Sequence, residues 1–105
     1  MNEIDSKLNE LYNRIPRRHS ADNVKEMYNI LDEYEDVLKT LESNVDQEKK
    51  VAQFFDSLDP VRAAIKKSND NKASKKTKDL LFDEASVALK DTIEELMKLY
   101  NTWRE

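Results

Sequence analysis

Residues 24–55 read VKEMYNILDEYEDVLKTLESNVDQEKKVAQFF. Within this stretch Val24, Met27, Leu31, Tyr34, Leu38, Leu41, Val45, Glu48, Ala52 and Phe55 follow one another at alternating spacings of three and four. That period places them on one face of a helix and forms a heptad seam, interrupted in its apolar character only at Glu48. Ile30, Val37 and Val51 flank the seam on one side and Tyr28 on the other, so the stripe is wider than one partner helix covers. The pattern predicts one continuous helix over 21–57, with the 21–55 part about 50 Å long at 1.5 Å per residue. Ser20, Asp22 and Asn23 are its candidate N-caps, with Glu26 in capping-box register after Asn23.

Towards the C-terminus, Asp59 followed by Pro60 reads as a helix restart, with the carboxylate as cap and the proline at the tolerated first position. A short helix over 60–67 is expected to bury Val61, Ala64 and Ile65. The polar run SNDNKAS, 68–74, is the clear loop. A last helix over 75–104 carries Phe82, Ala85, Leu89, Thr92, Leu96, Leu99 and Trp103 at heptad spacing, flanked by Leu81, Ala88, Ile93 and Tyr100. Towards the N-terminus, Ile4, Leu8, Leu11, Tyr12 and Ile15 predict an amphipathic helix over 2–15, stopped by Pro16, which lacks an N–H and constrains its predecessor.

The expected fold is therefore all-α: a single domain, an elongated antiparallel bundle or coiled-coil hairpin with one short N-terminal helix and two long ones. Short connections make sequential helices antiparallel. Two broad stripes exceed what a thin hairpin covers. The expected protein-interface residues are thus Val24, Met27, Leu31, Tyr34, Leu38, Leu41, Val45, Glu48, Phe55, Leu96, Tyr100 and Trp103. Glu48 in the seam marks either an opening of the bundle or the place where a partner's cation inserts. Trp103 is either pinned against the first helix or offered to a partner.

Composition narrows the function classes. The 105 residues include no glycine, no cysteine and two prolines, and 38% are charged. Without glycine there is no phosphate-cradling loop, dinucleotide fingerprint or nucleophile elbow. Without cysteine there is no disulfide framework, thiolate metal site or thiol nucleophile. The net charge of −4 argues against sequence-independent nucleic-acid binding. No basic leader followed by an apolar run opens the chain, and no stretch reaches the length of a membrane span, so a cytoplasmic location is expected, with the nucleus as the other compartment.

Four groups of residues bear on chemistry or regulation. Asp32, Glu33, Glu35 and Asp36 crowd around Tyr34, and Asp91, Glu94 and Glu95 lie on the last helix; with one histidine in the chain they read as solvated acidic faces rather than a di-metal site. Arg14 and His19 have an Arg-x4-His spacing that resembles a family of helical ribonucleases, but Pro16 lies between them. Arg17-Arg18-His19-Ser20 resembles the target of basophilic kinases, making Ser20 a possible phosphorylation site as well as a helix cap. Lys66, Lys67, Lys72, Lys75, Lys76 and Lys78 surround the polar loop with no aromatic residue interleaved, so they read as a solubilising tract.

The order of a short helix, a loop and a long helix followed by Leu58-Asp59-Pro60 resembles the family of the smallest shoulder subunit of dynactin, over most of this chain and the front portion of that longer subunit. The resemblance implies a non-catalytic role in a cytoskeletal motor assembly. From the residues themselves, the expectation is a non-enzymatic coiled-coil subunit or adaptor, without cofactor, that binds partner protein or itself. The alternatives are a self-contained bundle acting as a small chaperone, inhibitor or immunity protein, and, more remotely, a helical ribonuclease or nucleic-acid binder.

Overall fold

The computed structural model describes residues 3–43 and 48–103. Val45 and the expected helix ends at residues 2 and 104 lie outside the described residues. Four helices follow in order: α1 (Glu3–Arg14), α2 (Ala21–Glu42), α3 (Glu48–Ser68) and α4 (Lys75–Trp103). Pro16 sits just beyond the first, as its chemistry requires. Ser20 is the N-cap of α2: its backbone is extended and its Oγ accepts the Asn23 N–H at 3.1 Å. Neither Asp22 nor Asn23 caps the helix; the Asn23 amide instead donates to the Arg18 carbonyl at 2.7 Å.

The long helix expected over 21–57 is two helices. α2 stops at Glu42, where the Ser43 N–H is drawn to the Lys39 carbonyl and its Oγ donates to Thr40 O at 2.6 Å. The restart expected at Pro60 does not occur either, because α3 runs through the proline. The physical reason is coverage. An unbroken rod would leave its apolar face bare, whereas a separate α3 packs on both α2 and α4 and buries Val51, Phe54, Leu58, Val61 and Ile65. Those residues, spaced three and four apart, form the true buried face of α3. The extrapolated seam misses it by one position: Glu48 and Ala52 are exposed, and Phe55 is half-buried.

Each helix packs on the next in sequence, most extensively α3 on α4, and α1 closes the ring against α4. Lys7 meets Glu33 and Arg14 meets Glu26, so α1 and α2 run antiparallel. Tyr12 lies against Lys90, and the Ser86 hydroxyl donates to the Pro16 carbonyl at 2.8 Å, so α1 and α4 are antiparallel as well. α4 is consequently parallel to α2 across the core diagonal: the His19 ring meets Phe82, and Tyr34 Oη reaches Thr92 at 3.4 Å.

The result is an all-α helical bundle of 47 × 24 × 17 Å, with a radius of gyration of 14.4 Å against about 13 Å for a compact chain of this length. α4, about 44 Å at 1.5 Å per residue, spans its long axis. The core runs through all four helices, from Leu8 and Leu11 on α1 to Phe82, Leu89, Ile93 and Leu96 on α4. No helix among the described residues is long and apolar enough to cross a membrane.

Candidate functional site

The residues that the sequence singles out as an interface are largely turned inward. Val24, Met27, Leu31, Tyr34, Leu38, Leu41 and Leu96 are buried in the chain's own core. In an antiparallel ring of helices the seam of α2 faces α3, α1 and, across the centre, α4, and these supply the cover that a companion chain was expected to give. Glu48 is no seam carboxylate: it is exposed in the first turn of α3, where a negative charge is favoured by the helix dipole. Trp103 is half-buried, edge-on to Tyr100 at 6.1 Å, and lies beneath the ammonium of Lys50 at 5.9 Å. Lys50 ties it to the first turn of α3.

The acidic residues around Tyr34 have a structural explanation. Glu33 accepts from Lys7 Nζ at 2.6 Å and pairs with Arg14 at 2.8 Å, while Arg14 also reaches Glu26 at 2.6 Å and Glu10 at 3.1 Å. On the opposite flank of α2, Arg62 of α3 pairs with Glu35 at 2.9 Å and approaches Asp32 at 3.5 Å. α2 thus carries a carboxylate row on each side of its apolar seam, one matched by cations of α1 and the other by α3. Among the described residues no group of three His, Asp or Glu side chains is placed to hold a metal ion. The Arg14 guanidinium is taken up by this network, and the His19 ring packs edge-on to Phe82 at 5.7 Å. The Arg-x4-His spacing therefore yields a helix clamp on one side and a core contact on the other.

Hydrogen bonds from Arg14 and Lys7 hold the Glu33 carboxyl down at about 2, against an opposing push from burial. The bond to Glu33 raises Lys7, and bonds to Glu33 and Glu26 raise Arg14. A carboxylate whose pKa falls on folding adds stability above its unfolded value near 4.5 and loses it as the pH drops towards 2. The Glu33 side chain is 34% exposed, so water screens much of this effect. Glu33→Gln is expected to lower stability by about 1 kcal/mol at pH 7 and to flatten the loss of stability between pH 5 and about 2. Urea titrations of both proteins across that range check it; parallel pH profiles would remove the network from the stability account.

Ser20, the possible phosphorylation site, is exposed at the α2 cap. The lysines of the polar tract gather at one end of the bundle, where Lys66 and Lys67 lie in the last turn of α3 and Lys75, Lys76 and Lys78 in the first turn of α4.

One surface feature escaped the sequence reading. Leu80 (57% exposed) and Val87 (51%) are the large apolar side chains left in water among the described residues. They are seven residues apart on α4 and therefore share its outer face. Asp83, Glu84, Asp91 and Glu94 are exposed on the same face around them. The stretch 79–95 holds six carboxylates and one cation, Lys90, which is drawn aside over the Tyr12 ring at 5.7 Å. In sequence Leu80 and Val87 stand outside the Phe82-Ala85-Leu89 seam, as residues flanking a wide seam also do. In comparisons with protein-family models, with characterised proteins and with solved structures, the chain matches none.

Proposed function

We propose that this protein is a non-catalytic, cytoplasmic helical bundle that acts by binding another protein through its outer surface. On this reading it folds by itself, as a small chaperone, inhibitor, immunity protein or adaptor does, and does not lend its apolar seam to a shared coiled coil. The observation that carries the reading is the sorting of the large apolar residues. The seams of all four helices face inward, and the two such side chains left in water among the described residues lie together on one face of α4. Single exposed apolar residues are ordinary on any protein surface; a pair aligned on one helix face is a contact surface in outline.

The isolated chain is expected to be a monomer with a single cooperative thermal transition whose midpoint does not move over a hundredfold range of protein concentration. Sedimentation equilibrium and circular-dichroism melts measure this. A midpoint that rises with concentration, or helicity that appears only in an oligomer, would return the chain to the class of obligate coiled-coil subunits, among them the motor-assembly role that the dynactin resemblance implies.

A further inference from the structure

We infer that the outer face of α4 is a docking site for a basic amphipathic helix of a partner protein. The inference rests on the protein-binding reading above and names the partner's chemistry. Leu80 and Val87 stand two turns apart, about 10 Å along the axis, which is the spacing of anchor side chains on a helix laid alongside. Between and beyond them are Asp83, Glu84, Asp91 and Glu94, all exposed. Of these four, Glu94 alone makes a close ion pair, at 3.6 Å to Lys98. Elsewhere on the bundle the carboxylate rows of α2 are matched by Arg14, Lys7 and Arg62; on this face the charge has no such match.

A partner that fits therefore supplies two apolar residues at i and i+7 and lysines or arginines on either side of them. A second copy of this chain is a poor occupant, because its own outer α4 face would set carboxylates against carboxylates. The lysines in the first turn of α4 repel a basic helix at that end, so the contact centres between Leu80 and Asp91 and extends towards Glu94. Complementary charge of this kind sets encounter rate and register, and the apolar pair supplies the desolvated anchor.

The test is a selection from a phage-displayed library of helical peptides against the full chain. Enriched peptides are then synthesised and measured by fluorescence anisotropy against the parent, Leu80→Ser/Val87→Ser and Asp83→Lys/Glu84→Lys. All four positions are exposed, so each variant is expected to fold, and a melt confirms it. Enrichment of basic amphipathic sequences whose affinity drops at least tenfold against both variants, and also drops between 50 and 300 mM salt, is the expected result. Peptides that bind the parent and both variants equally overturn the docking site while leaving the protein-binding reading in place. Peptides that depend on Leu80 and Val87 but are neutral or acidic overturn the partner class. A selection that yields no binding peptide counts against both.

Discussion

Phe82→Ala is expected to destabilise the bundle by about 3–5 kcal/mol, the range for removing a large aromatic ring from a packed core. Phe82 has no solvent exposure and touches the His19 ring edge-on, so its loss empties the place where the α1–α2 connection rests on α4. The surroundings have little freedom to fill the gap. The Pro16 carbonyl is tied to Ser86 one turn away, and Ser20 is committed to capping α2. Against a total stability of about 5–15 kcal/mol for a domain, a loss of this size removes roughly a fifth or more of the margin. Leu80, two residues earlier and exposed, provides the control: Leu80→Ala is expected to change stability by less than about 0.5 kcal/mol. Urea denaturation followed by circular dichroism separates the two, with the Phe82 variant shifting its midpoint at constant slope. Equal and small effects at both positions would mean that Phe82 is not part of the core as described.

That contrast also marks what periodicity conveys. The seams of α2 and α4 were legible residue by residue: Val24, Met27, Leu31, Tyr34, Leu38 and Leu41, like Phe82, Ala85, Leu89, Thr92 and Leu96, are buried at the expected spacing. What periodicity did not convey was where the chain turns. The spacing of three and four runs on formally through Glu48, Ala52 and Phe55, but the buried face resumes at Val51, Phe54 and Leu58. A glutamate in the seam was the visible symptom of that shift, and Ser43-Asn44, residue types that favour turns, stood just before it. Treating the stripe as continuous led to a demand for an outside helix, because a straight rod cannot cover itself and a folded one can. The α4 face was illegible for the complementary reason. An exposed leucine and valine in a helix-forming stretch are indistinguishable in sequence from residues flanking a wide seam; only the placement of α1 and α3 decides which side of α4 stays in water.

Pro60→Ala is expected to raise stability by about 1–3 kcal/mol. Pro60 lies well inside α3, twelve residues after its start and eight before its end, and is exposed. It has no N–H to give to the carbonyl of Asp56 one turn earlier, and its ring crowds that carbonyl; relative to alanine the deficit in a helix interior is about 3 kcal/mol. Part of this is offset because proline also restricts the unfolded chain, an effect of about 0.4–1 kcal/mol that the alanine variant forgoes. The helix survives the interruption because Leu58, Val61 and Ile65 are buried on either side of it and α3 is packed on both α2 and α4. The Ser57 hydroxyl donates to the Gln53 carbonyl at 2.9 Å, a back-bond of the kind that slightly destabilises helices, in the same turn as Pro60. In the variant the urea midpoint should rise with its slope unchanged, and the amide at position 60 should exchange slowly, as expected for an intrahelical donor to Asp56. A midpoint that falls, with fast exchange at position 60, would show instead that α3 is two segments meeting at Asp59-Pro60, the restart that the sequence suggested, with the proline acting as the first residue of the second.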